Sequence, residues 1–149
     1  MTEVAFHFNA PDRRTYVCRL LRKATSRGSR VVVLAPAPDL PALDEALWTF
    51  SALDFIPHCR ANAADAVMQS SPVVLADALD AALPHAEVVV NLTDAVPQGF
   101  ERFERLIEVV TAAPEDRAQA RERWRHYAQR GYPLTSFDIA AVAGAPAAS

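Results

Sequence analysis

The segment from Arg117 to Arg130 carries most of the recognition chemistry in this sequence. It places Arg117, Arg121, Trp124 and Ala128 on one stripe of a helix, with Tyr127 beside it. A guanidinium can take a carboxylate through two parallel hydrogen bonds, and aromatic rings can wall a pocket for an apolar side chain. A peptide ending in acids, an apolar residue and a free carboxylate would satisfy both groups. The same residues also suit nucleic-acid phosphates, or a solvated arginine-rich face whose Trp packs inward. Spacing leaves these three readings open.

Other chemistry is sparse. His7, His58, His85 and His126 do not pair at metal-ligand spacing, and Cys18 and Cys59 cannot make a disulfide framework or a four-ligand zinc site. The adjacent His58 and Cys59 could suggest a catalytic pair, but sequence neighbours usually point apart and nothing completes a triad. Asp44 and Glu45 read as a solvated helix face rather than an acid/base pair. Trp48, with Phe50, Phe55 and Ile56 nearby, is either core or an exposed apolar patch for a partner. A phosphate-binding loop needs glycines, so that backbone N–H groups can approach the phosphates. The chain has only four glycines, and its first strand–helix turn, Asn9 to Asp12, has none. Their absence is strong evidence against ordinary dinucleotide or nucleoside-triphosphate binding.

The elements that must position these residues follow from hydrophobic period and punctuation. Residues 4–8 read as a strand, and Pro11-Asp12 can start a helix that stops near Gly28. The apolar runs 31–35, 72–75 and 87–92 suit strands covered on both faces, as in a parallel sheet. Asp39 can cap a helix from Pro41 to Trp48. Residues 61–70 are ambiguous. Phe100, Phe103, Leu106, Ile107 and Val110 recur at helical spacing and predict a helix from about Gln98 to Thr111. Pro114 starts a last helix running to about Arg130. The fold expected is a single layered α/β/α domain over residues 1–139, with a Rossmann-like sheet lacking a nucleotide-binding loop. The Ala-rich tail from Ala140 is expected to be mobile.

Composition narrows the class. The 149 residues are 51% hydrophobic and 22% charged, which excludes a disordered chain and suits one domain. The start of the chain lacks the pattern of a signal peptide, so a cytoplasmic protein without a membrane span is expected. The net charge of −3 argues against an indiscriminate nucleic-acid coat. It is a sum over unlike parts. Residues 13–30 hold seven cations, residues 117–130 hold five, and the stretch between Val31 and Glu101 has one cation against ten acids.

Several segments together resemble the chi subunit of bacterial DNA polymerase III. They are the run from Leu43 to Trp48, the run from Phe55 to His58, and Asn91-Leu92 followed by Phe100, Phe103 and Ile107 to Val110. The stretch from Ala120 to Arg125, with Tyr127 and Gly131 to Leu134, completes the set. The resemblance spans about residues 4 to 138. It implies a non-catalytic replisome adaptor without metal or cofactor. Such an adaptor binds the acidic C-terminal tail of single-stranded DNA-binding protein, and also the psi subunit that links it to the clamp loader. For tail binding it implies Arg121 as carboxylate anchor, Arg117 as second cation, Trp124 as pocket wall and Ser136 as a neighbour. For the psi-facing surface it implies Phe55, Ile56 and Pro57, with Trp48 on a family motif. The alternative is direct binding of single-stranded nucleic acid by the basic helices.

Overall fold

The structure, a computed structural model, describes residues 1–49, 56–80 and 83–140. Seven strands form one sheet in the order β3-β4-β2-β5-β6-β1-β7, and every adjacent pair is parallel. The strands are β1 (Glu3–Ala10), β2 (Val31–Leu34), β3 (His58–Arg60), β4 (Val73–Ala76), β5 (Val88–Asn91), β6 (Arg105–Thr111) and β7 (Leu134–Asp138). The helices are α1 (Arg13–Ser26), α2 (Leu40–Thr49), α3 (Asp65–Ser70) and α4 (Pro114–Gln129). Among the described residues no helix is long and apolar enough to cross a membrane.

The apolar runs lie at the centre of the sheet because both faces are covered. All four residues of β2, of β4 and of β5 are buried. Successive side chains alternate between two cores. Val31, Val33, Leu75, Val90 and Ile107 pack with Leu21 of α1 and Leu43 and Leu47 of α2. Val32, Val74, Val89, Leu106 and Val110 pack with Met68 of α3 and Ala120 and Tyr127 of α4. Helices α1 and α2 therefore cover one face, and α3 and α4 the other.

Two local expectations change. The predicted helix over 98–111 is instead a short 3-10 turn, Phe100–Arg102, followed by strand β6. Gly99 at φ +88° and the extended backbone of Phe103 end any helical path there. Residues 106–110 are all buried, and a strand covered on both faces fits any apolar period, including the helical one. Asp39 does not cap α2; it lies in the 3-10 turn Ala37–Asp39 that leads directly into that helix. The ambiguous stretch 61–70 contains α3. The expectation of a mobile tail covers residues 140–149, of which all but Ala140 lie outside the described residues.

Candidate functional site

Helix α4 is fixed at its start, its middle and its end. Pro114 opens it, and Glu115 and Asp116 face the positive end of the helix dipole. Asp116 Oδ2 accepts from the Thr111 amide at 2.7 Å and hydroxyl at 2.9 Å, and pairs with Arg13 at 2.5 Å. Burial pushes the Asp116 carboxyl up, but these bonds outweigh it and hold the group below the ordinary carboxylate range. The end of the helix is closed by Gly131 at φ +78°, with Tyr132 N–H donating back to the Tyr127 carbonyl. That turn sends the chain through Pro133 into β7.

The middle of α4 is held by a buried polar network. Arg123 projects inward, and its Nε lies 3.1 Å from Glu108 Oε1 on the interior strand β6. Arg123 Nη1 donates to the Asp94 carbonyl at 3.1 Å. Tyr127 donates to Glu108 Oε2 at 2.7 Å, and Asn91 Nδ2 donates to Oε1 at 2.9 Å. Glu108 is fully buried. Desolvation raises its carboxyl pKa, and Arg123, Tyr127 and Asn91 oppose that rise. Each carboxylate oxygen thus has a partner, which a buried charge requires.

With α4 held this way, a hollow of roughly 260 Å³ opens between it and strands β1, β6 and β7. Phe6, Phe8, Val110 and Ala120 line it, and Trp124 walls it with its ring 5.1 Å from that of Phe6. Arg117 and Arg121 are exposed and stand one turn apart at its edge, with Ser136 on β7. Among the described residues neither of these guanidiniums is tied into an ion pair, unlike Arg13, Arg123 and Arg125. The arrangement can seat one apolar side chain and hold an anion beside it. The four residues expected together from the sequence, Arg117, Arg121, Trp124 and Ser136, therefore line one cavity. Tyr127 does not, because it is fully buried beneath the helix.

The comparison with known proteins fixes the family. The sequence model for the DNA polymerase III chi subunit, HolC, matches residues 1–135. The DNA polymerase III subunit chi of Pseudomonas aeruginosa is 36% identical over 142 residues, covering 90% of this chain and 94% of that protein. The chain belongs to the DNA polymerase III chi subunit family. The subunit chi of Haemophilus influenzae is 22% identical over 123 residues, covering 82% of this chain and 84% of that protein. A chi subunit is a non-catalytic accessory subunit of the replisome.

The second group of expected residues in this chi-family chain lies at the other edge of the sheet. Trp48, at the end of α2, is 59% exposed and meets the ring of His58 edge-on at 5.3 Å. Pro57 is exposed. Ile56 is not a surface residue: it is buried in the core that α1 and α2 cover. Phe55 lies outside the described residues. His58 Nδ1 is 2.7 Å from the Ile56 carbonyl, and Nε2 is 2.7 Å from Asp44 Oδ1. Cys59 packs toward the other core, so the adjacent His and Cys point apart, as strand alternation requires.

Sequence reasoning missed the Glu108–Arg123 pair. Its signal was a lone acid inside an apolar run, opposite a helix with one more arginine than its exposed stripe needs. Strand β7 was also missed, although it supplies Ser136.

Proposed function

We propose that this chi-family chain is a replisome adaptor that captures the acidic C-terminal tail of single-stranded DNA-binding protein in the α4 hollow. The observation that carries this reading is the pairing of an apolar, aromatic-walled hollow with two adjacent guanidiniums at its edge. The tail's terminal apolar side chain enters against Trp124, Phe6 and Phe8. Its free carboxylate pairs with Arg121, and a preceding acid meets Arg117. Ser136 offers a hydroxyl on the far side. Because the guanidiniums are exposed, binding weakens as salt rises.

The exposed Trp48 and Pro57 form the docking surface for psi and through it the clamp loader. This surface and the hollow lie toward opposite edges of the sheet, which suits a bridge between two partners.

The test is calorimetric titration of the tail peptide into wild-type and Arg121→Ala protein. The reading expects a loss of about 2 kcal/mol in the variant. Unchanged affinity would remove the site assignment.

A further inference from the structure

Strand β7 presents successive side chains to opposite faces, so Ser136 faces the hollow and Phe137 the other side. Phe137 is 44% exposed on an edge strand that, among the described residues, pairs only with β1. Its ring lies 5.5 Å from that of His7, and His7 Nδ1 lies 2.5 Å from the Tyr16 hydroxyl. Three aromatic rings thus run in a row from the sheet edge to helix α1. Cations border the row. Arg19 and Lys23 follow Tyr16 at three and seven residues along α1, and both are exposed. Lys23 lies on the same helix as Tyr16, two turns along it. The sequence has no acid between Asp12 and Asp39, so α1 carries only positive charge.

We propose that this strip, Phe137, His7 and Tyr16 flanked by Arg19 and Lys23 on α1, is a binding surface for single-stranded DNA. A base stacks on the exposed Phe137 ring while neighbouring phosphates meet the cations. Every base offers a π-face, so the surface is tolerant of sequence. A duplex does not fit this chemistry, because its bases are already stacked. A protein interface needs an apolar centre of several residues, and here one exposed ring stands among charges. The other large exposed side chains on the helices, Trp48 and Val67, belong to α2 and α3, which contact the opposite sheet edge. The strip and the tail hollow lie on opposite faces of the sheet, so both can be filled at once.

The test is fluorescence anisotropy of a labelled oligo-deoxythymidine titrated with the full chain across a salt series. Wild-type protein is expected to bind at low salt. Phe137→Ala is expected to weaken binding about five- to a hundredfold, and Phe137→Trp to restore it. Arg19→Ala with Lys23→Ala is expected to flatten the log–log salt slope by about 1.4, at roughly 0.7 for each phosphate no longer neutralised. Arg121→Ala is expected to leave DNA binding unchanged, which separates this proposal from tail capture. Retained tail-peptide affinity in each strip variant shows that it is folded. No binding at low salt, or equal binding by wild type and all strip variants, would overturn the proposal. So would a concentration-dependent dimer that Phe137→Ala abolishes in the absence of DNA binding, since the edge would then serve a second copy of this chain.

Discussion

Arg123 Nε stands 3.1 Å from Glu108 Oε1 in the interior, beneath the helix whose Arg117 and Arg121 edge the hollow. One helix therefore uses its cations in two ways. Arg117 and Arg121 are exposed at the edge of the hollow, while Arg123 is buried against Glu108 of the sheet. The two uses separate in experiment.

Arg123→Met leaves the Glu108 carboxylate buried without its counter-ion. It is expected to cost about 3–5 kcal/mol in urea unfolding. Arg121→Ala is an exposed substitution and is expected to stay within about 0.5 kcal/mol of wild type. Pairing Arg123→Met with Glu108→Gln is expected to recover part of the loss, because the uncompensated charge is gone. Equal stabilities for Arg123→Met and Arg121→Ala would show that the buried pair does not anchor α4.

Burial, with Arg105 and Lys23 nearby, lowers the His7 pKa from 6.5 to about 4. The folded state thus refuses a proton that the unfolded chain accepts. This contribution to stability is complete above pH 6.5, shrinks as pH falls, and is gone below about pH 4. Its full size is about 3 kcal/mol at most. Burial raises the Glu108 carboxyl, which works in the opposite direction as pH falls toward the carboxylate range. The check is therefore the difference between wild type and His7→Gln in chemical unfolding from pH 7 to pH 4. That difference is expected to change with pH in the His7 interval, and a constant difference would contradict the assignment.

Trp48→Ala removes a ring that is 59% exposed and contributes little to the core. Stability is expected to move by about 0.5 kcal/mol or less, while co-purification with a psi subunit is lost. Unimpaired co-purification would place that docking surface elsewhere.

Much of this architecture was legible in the residues. The valine-rich runs announced buried parallel strands, and Pro114 and Gly131 bracketed α4. Arg117, Arg121 and Trp124 shared a stripe on any helical wheel. What was not legible came from long-range pairing. The run from Leu106 to Val110 satisfies strand and helix periods alike, and only its place between β5 and β1 decides for strand. Strand β7 is exposed at Thr135, Ser136 and Phe137, so it lacks the apolar alternation that marks a half-buried strand. Arg123 looked like one more solvated cation, because its partner is 15 residues away in sequence on another element. Ile56 sat in a motif assigned to a surface, yet its side chain serves the core.

Arg121 is proposed to hold the free carboxylate at the end of an acidic tail. A double-mutant cycle tests it, using tail peptide with a free or amidated C-terminus against wild-type and Arg121→Ala protein. Amidation and Arg121→Ala are each expected to cost about 2 kcal/mol, and the two together little more than either alone. Losses that simply add would contradict this contact, since the carboxylate and Arg121 would then not meet.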